Sequence, residues 1–220
     1  MANKNGVVKL VSYSKPAQDM IDLGVESLHD LVAFCAKVSN PKNQTDMKNA
    51  KKLVKYLKDN SHFSPFEMVH LTIEVNTTRD IARQMLRHRS FAFQEFSQRY
   101  AEIDIDSFVL REARLQDTKN RQNSIEVEDD VLQAEWNAKQ QGVIDAAVEA
   151  YEWALSKGIA KEQARVVLPE GNTASTLFMA GSIRSWIHYI DLRKGNGTQK
   201  EHILIAQAIA KVVVEIFGEY

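Results

Sequence analysis

A strict alternation of apolar and polar side chains near residue 70 limits this 220-residue chain to folds that contain a sheet. In MVHLTIEV, every second residue from Val69 to Val75 is apolar and the residues between them are polar. Side chains of a strand point alternately to opposite faces, so this period of two predicts a strand with one buried face, at about 68–75. Weaker patterns predict further strands at about 7–13, 93–100 and 174–180.

Helical spacing of apolar residues covers more of the chain than strand spacing does. Such spacing predicts amphipathic helices at about 25–38, 46–59 and 130–157, and in RDIARQMLRHR, KEQARVVLP and SIRSWIHYIDLRK. Gly158 is predicted to end the long helix at 130–157, and Ser182 is predicted to cap the helix in SIRSWIHYIDLRK. Thr198 and Glu201 are predicted to form a capping box for the last helix. Helices are therefore expected in the majority.

Composition bounds the function classes. The 28 lysine and arginine residues are balanced by 29 acidic residues, so the chain lacks the positive field of a nucleic-acid-binding protein. One cysteine excludes an internal disulfide and a multi-cysteine metal cage, and no histidine spacing is typical of zinc. No apolar run approaches the roughly 18 residues of a membrane-spanning helix. We expect one cytoplasmic domain over residues 1–220, without membrane, nucleic-acid or metal partners.

The segment RHRSFAFQEFSQRY, which begins at Arg87, crowds three arginines, a histidine and a glutamate among four aromatic side chains. If residues 94–100 are extended, Glu95, Ser97 and Arg99 lie on one face. An acceptor, a hydroxyl and a guanidinium are what a ribose and a phosphate require. This local cluster in a nearly neutral chain indicates a small anionic ligand. The alternative is an arginine–glutamate network that ties down a surface loop.

Other segments carry weaker signals. HFSPFE places His62 and Ser64 in a turn before a predicted strand, where a plain turn is the alternative. Arg184 and His188 share a helix face, although solvated arginines are common on helices. The polar residues 111–130 indicate a surface excursion or lid. There is no G-x-G-x-x-G, Walker or G-x-S-x-G motif, so a bound flavin would need a non-Rossmann site.

These segments together closely resemble the flavin-dependent thymidylate synthases, the ThyX family. The family signature runs Arg-His-Arg, seven residues, then Ser, with Asn-Glu before that Ser and Arg-Tyr after it. The resemblance continues through HFSPFE, IARQMLRHR, ARVVLP and SIRSWIHYIDLR, over roughly residues 60–195. The stretches RHRSF and KNRQNS resemble those of viral members of the family. It implies an α+β fold, with a central antiparallel sheet packed against helices.

The resemblance also implies an activity and its reactants. Members convert dUMP to dTMP by reductive methylation. Methylenetetrahydrofolate supplies the carbon, and FAD reduced by NADPH supplies the hydride. The family is a homotetramer whose active sites are shared between subunits.

Site residues are carried over by position. The residues that resemble FAD contacts are Ser64, Arg87, His88, Arg89, Glu95, Ser182, Arg184 and His188. Those that resemble the dUMP site are Gln84, Arg87, Glu95, Ser97, Gln98, Arg99, Arg165 and Arg193. Arg193 matches the catalytic arginine beside the uracil ring, and His62 matches a histidine near the flavin and folate. Ser97 could instead be a nucleophile, but the sequence assigns no base to activate it, so a positioning role is preferred.

Three alternatives stay open at this point. The chain could be a non-catalytic nucleotide- or flavin-binding regulatory protein that keeps the phosphate site. It could be a flavin-using methylase of uridine in RNA, which the neutral charge disfavours. It could also be a structural interaction protein that binds no flavin.

Overall fold

The computed structural model describes residues 7–195 and 197–218. Within these residues the strands and α-helices are, in chain order, β1 (Val7–Tyr13), α1 (Gln18–Asp22), α2 (Leu28–Ala36), α3 (Ala50–Asp59), β2 (His70–Thr78), α4 (Arg79–Met85), β3 (Ala92–Glu95), β4 (Arg114–Gln116), β5 (Ser124–Glu126), α5 (Asp130–Ser156), α6 (Lys161–Ala164), β6 (Ala174–Ser182), α7 (Ile183–Arg193) and α8 (Lys200–Phe217). The helix-rich α+β class predicted from the sequence is confirmed.

Four strands form an antiparallel sheet in the order β1-β2-β6-β3. The central pair keeps an unbroken register from His70 opposite Ser182 to Thr78 opposite Ala174. The predicted strand at 7–13 is confirmed as β1, and those at 68–75 and 174–180 are confirmed with ends shifted by two or three residues.

One face of this sheet is buried under helices. Leu71, Ile73 and Val75 of β2 are at most 1% exposed, as their alternation predicted. Trp186 of α7 is fully buried and donates from Nε1 to the carbonyl of Leu71 at 3.4 Å. The core therefore fixes α7 against β2, which places the residues that follow Trp186 beside α4 and α8.

Local sequence explains where the helices begin and end. Ser27 and Asp30 form a capping box at the start of α2. The long helix α5 ends at Ser156, and Gly158 takes a φ of 74° just beyond it, as predicted. Ser182 caps α7 by accepting from the backbone N–H of Ser185, which confirms the predicted cap.

Two local predictions are wrong. Strand β3 ends at Glu95, and the carbonyl of Ser97 accepts from the N–H groups of Tyr100 and Ala101, so residues 98–100 form a turn. The N–H of Phe96 still donates to the carbonyl of Thr176 in β6 at 2.9 Å, and the predicted alternation along 94–100 fails beyond it because the chain turns at 98–100. The last helix has no capping box either.

The cap of α8 is Gln199, whose side chain makes no capping bond. Glu201 fails to cap because its carboxylate pairs with Arg111 at 3.3 Å and Arg114 at 2.6 Å. Ion pairs with distant arginines thus replace the expected capping hydrogen bond of Glu201.

The polar segment 111–130 is an excursion with its own structure. β4 and β5 pair as a short hairpin, with Leu115 opposite Ile125. Together with α5 the hairpin borders a cavity of about 700 Å³. In the described part of the chain, no helix combines the length and the hydropathy needed to cross a bilayer.

Candidate active site

The Arg-His-Arg motif lies just after α4, and its histidine contacts the end of α7. Arg193 donates from Nε to Nε2 of His88 at 2.8 Å. His88 is 8% exposed, and its burial, with the charges of Arg193 and His188, lowers its pKa to about 4. The imidazole is therefore neutral near pH 7, and its Nε2 can accept the hydrogen bond.

Arg193 carries an uncompensated charge. Among residues 7–195 and 197–218, no carboxylate forms an ion pair with it, and its side chain donates to the neutral His88. Its two Nη groups make no hydrogen bond or ion pair within these residues and so remain available to a ligand. An arginine held in this way can stabilise negative charge that develops on a bound ring.

Gln84, a predicted nucleotide contact, lies on α4 beside this pair. Its amide donates to Oε1 of Gln199 at 2.8 Å, and its own Oε1 lies 3.2 Å from Nδ1 of His202. The predicted site residues Gln84, His88 and Arg193 are thus brought together where α4, α7 and α8 meet.

The two arginines of the motif are solvent-exposed. In the part of the chain that the structure describes, neither Arg87 nor Arg89 has an ion-pair partner. Guanidinium groups without a carboxylate partner are ready-made sites for phosphate oxygens.

Glu95 is tied into the arginine–glutamate network that the sequence left as an alternative. Its carboxylate accepts from Ser175 at 3.0 Å and lies 3.6 Å from Arg79 and 3.2 Å from Arg83. Both arginines also pair with Glu170. Glu95 is therefore held rigidly, with its side chain 15% exposed.

A second group of predicted nucleotide contacts gathers on the short helix α6. Arg99 pairs with the carboxylate of Glu162 at 3.2 Å, and Arg165 donates to the carbonyl of the same residue at 3.4 Å. Ser97 is exposed, whereas Gln98 is buried and its Nε2 has no partner in the described chain. No hydrogen bond or ion pair among the described residues joins Arg99 or Arg165 to the group around His88.

The predicted flavin contacts of the late helix meet the HFSPFE segment at Glu67. Its carboxylate accepts from Ser182 at 2.5 Å and from Arg184 at 2.9 Å, and the bond from Ser182 lowers the pKa of Glu67. Ser64 begins the 3-10 helix that carries Glu67, and His188 is exposed one turn after Arg184.

His62 stays outside this group. It is exposed and lies edge-on to Tyr56, with ring centroids 6.4 Å apart.

Several residues that hold the site escaped sequence reasoning. They are Arg79, Arg111, Arg114, Tyr189, Gln199 and His202. The side chains to which they hydrogen-bond lie between 13 and 118 positions away in the chain, so no local pattern marks them. Within the same described ranges, no group of three or more His, Cys, Asp or Glu side chains could hold a metal ion.

Comparison with known proteins identifies the family of the chain. The model of the family described as "Thymidylate synthase complementing protein" (Thy1) matches residues 25–218. The chain belongs to this family, ThyX. This confirms the resemblance found in the sequence and, with it, the enzyme class.

Two curated ThyX relatives match almost end to end. A probable flavin-dependent thymidylate synthase of Paramecium bursaria Chlorella virus 1 is 46% identical over 209 residues, which cover 95% of this chain and 94% of the relative. A flavin-dependent thymidylate synthase of Synechocystis sp. is 46% identical over 210 residues, covering 96% and 95%.

A solved structure shares the ThyX fold. The UMP/dUMP methylase PolB from Streptomyces cacaoi, solved with 5-Br dUMP, superposes with a TM-score of 0.82 at 26% identity. The match covers 97% of this chain and 92% of PolB.

Proposed function

We propose that this chain catalyses the reductive methylation of dUMP to dTMP, with methylenetetrahydrofolate as one-carbon donor and FAD, reduced by NADPH, as the source of hydride. The observation that carries the proposal is Arg193, a guanidinium without a carboxylate partner, held on the neutral His88 of the family motif. Family membership and the names of the 46% identical relatives support the flavin and the product.

Arg193 is the proposed catalytic residue. A guanidinium beside the uracil ring stabilises negative charge on it and so favours attack of C5 on the one-carbon unit. Arginine stays protonated throughout, so it acts as an electrostatic stabiliser and not as a proton donor. Within the described residues the Ser97 hydroxyl makes no hydrogen bond to a histidine or a carboxylate, which supports positioning of the nucleotide over nucleophilic attack.

The donor groups of the motif fit FAD. Arg87 and Arg89 offer exposed guanidiniums without carboxylate partners, and a diphosphate is the ligand that such groups bind. Arg184, His188 and Ser64 are also exposed for polar contacts, whereas the buried Ser182 acts through Glu67. FAD bound there would supply the hydride chemistry.

The proposed site is completed by neighbouring subunits of a homotetramer. The predicted nucleotide contacts form two groups, one around Arg193 and one around Glu162, with no bond between them in the described chain. A nucleotide bound between a group from one subunit and a group from its neighbour would meet both. The proposal treats residues 1–220 as one domain of a cytoplasmic protein.

The test is dTMP formation by the purified protein from dUMP, methylenetetrahydrofolate and NADPH, with FAD loaded or stripped. We expect product only with FAD, and about 100-fold slower turnover for Arg193→Ala. Lys194→Ala is the matched control, because Lys194 is the exposed neighbour and pairs with Asp191. A parallel assay with UMP tests whether the protein prefers deoxyribose to ribose, since PolB is named a UMP/dUMP methylase.

Product without FAD would overturn the role of the flavin. Binding of FAD and dUMP without product would favour the non-catalytic alternative. Full activity of Arg193→Ala would remove Arg193 from the reaction.

A further inference from the structure

A chain of four side chains runs through the interior between α7, α8 and α4. The hydroxyl of Tyr189 lies 3.0 Å from Nε2 of His202, and Nδ1 of His202 lies 3.2 Å from Oε1 of Gln84. Gln84 then donates from Nε2 to Oε1 of Gln199 at 2.8 Å. Each link is within hydrogen-bonding distance, so the four groups form one continuous relay.

The two buried rings of this relay, those of His202 and Tyr189, are both uncharged near pH 7. His202 is fully buried, and burial, with the charge of Arg193, lowers its pKa to about 3. Burial also raises the pKa of Tyr189, so its phenol keeps the proton. A neutral imidazole carries one N–H and one acceptor nitrogen.

The neighbours of His202 select the tautomer. Oε1 of Gln84 cannot donate, so Nδ1 of His202 must carry the proton that lies between them. Nε2 is then the acceptor, and the hydroxyl of Tyr189 donates to it. Tyr189 and Gln84 thus both fit this tautomer of His202, in which Nδ1–H donates to Oε1 of Gln84 and holds that end of the amide.

We propose that His202, held by Tyr189, is a positioning residue that orients the Gln84 amide so that its NH₂ group faces the nucleotide. This rests on the proposed function, in which Gln84 contacts dUMP. One of the two N–H bonds of Gln84 is used by Gln199, and the other is left for a substrate oxygen. Without His202 the amide can rotate and present its oxygen instead, which cannot donate to a carbonyl or ribose acceptor.

The relay also explains a buried histidine that no other contact requires. His202 lies on α8 among apolar neighbours, with Ile205 and Ile209 fully or almost fully buried on the same helix. A polar ring at such a position costs free energy unless both nitrogens are satisfied. Tyr189 and Gln84 provide hydrogen-bond partners for both nitrogens, and the same bond from Nδ1 orients the side-chain amide of Gln84.

The experiment measures dUMP binding to the FAD-loaded protein by isothermal titration calorimetry, without turnover. We expect His202→Leu to weaken binding about tenfold, because one oriented hydrogen bond of the ligand is lost. His202→Asn, whose amide N–H can take the place of Nδ1–H, should recover binding to within about threefold of wild type. Tyr189→Phe removes only the hydroxyl and should weaken binding by about threefold.

A double-mutant cycle separates positioning from a merely structural role. In a Gln84→Ala background, His202→Leu should cause no further loss of dUMP binding, because its effect passes through Gln84. FAD content and the melting temperature of each variant report folding. If His202→Leu does not fold, His202→Asn and Tyr189→Phe are each combined with Gln84→Ala in the same way.

The outcomes are distinct. Wild-type protein that binds no dUMP would overturn the proposed function and this inference together. If His202→Leu binds dUMP as tightly as the wild type does, the positioning role is overturned and the proposed function is not. The same holds if His202→Leu weakens dUMP binding equally in the wild-type and Gln84→Ala backgrounds.

Discussion

Arg193 donates from Nε to Nε2 of His88 at 2.8 Å, although the two residues are 105 positions apart in the chain. The bond joins the end of α7 to the Arg-His-Arg motif and leaves the Nη groups of Arg193 without a carboxylate partner in the described chain. A neutral acceptor orients the guanidinium without cancelling its charge. This arrangement is suited to stabilising charge on a substrate.

The geometry of Arg193 predicts that charge alone is insufficient at this position. Arg193→Lys keeps the charge but has no planar fork that can bond His88 and face the nucleotide together. We expect turnover to fall about 100-fold with dUMP affinity within about threefold of wild type. Single-turnover oxidation of the reduced enzyme, followed by flavin absorbance, measures the step. A rate equal to that of Lys194→Ala would contradict it.

Buried neutral histidines predict a loss of stability in acid. The pKa is lowered to about 4 in His88 and to about 3 in His202, against an ordinary value of about 6.5. Between these values the unfolded chain binds more protons, so the free energy of unfolding falls as the pH drops below about 6.5. Urea unfolding at pH 7.5 and pH 5 measures this.

One of the two histidines that cause the acid sensitivity can be replaced. His202→Asn has no imidazole to protonate, so its stability should change less between the two pH values. An unchanged difference would assign the acid sensitivity to other groups.

Close packing predicts a cost for enlarging Gly181. A Cβ built there would lie 2.5 Å from Cδ1 of Phe91, which packs on Trp186 at a centroid distance of 4.7 Å. Gly181→Ala should lower the free energy of unfolding by about 2 kcal/mol, because Phe91 must move. Thermal denaturation measures it.

A second glycine provides the matched control. Gly142 lies inside α5, and a Cβ there meets nothing within 4 Å. Gly142→Ala should raise stability by about 1 kcal/mol through helix propensity. If both variants shift the melting temperature alike, the clash with Phe91 is not the cause.

The network around Glu95 predicts a structural cost at a proposed binding residue. Arg79 has a side chain 8% exposed and would lose one of its two carboxylate partners in Glu95→Gln. We expect a loss of about 2 kcal/mol in unfolding free energy. The matched substitution Asp59→Asn breaks the exposed Lys55–Asp59 pair and should cost less than about 0.5 kcal/mol. Equal costs would mean that solvent screens both pairs.

Much of the fold could be predicted because local burial leaves a periodic pattern. The alternation around Ile73 predicted β2, and helical spacing with Gly158 predicted α5 and its end. The predictions failed where a local motif competed with a distant partner. Glu201 pairs with Arg111 and Arg114 and does not cap α8, and the predicted strand over 93–100 ends early because the chain turns after Ser97.

By itself the sequence determined the α+β class, the principal strands and helices, and the motif that marks the ThyX family. Periodicity and short motifs report which side chains are buried or bonded within a few residues. Only the tertiary structure decided that Arg193 meets His88, that His202 meets Gln84, and that Arg99 and Arg165 gather on Glu162. Each of those contacts depends on how helices and loops pack against the sheet, since a hydrogen bond needs atoms about 3 Å apart and spacing along the chain does not set that distance.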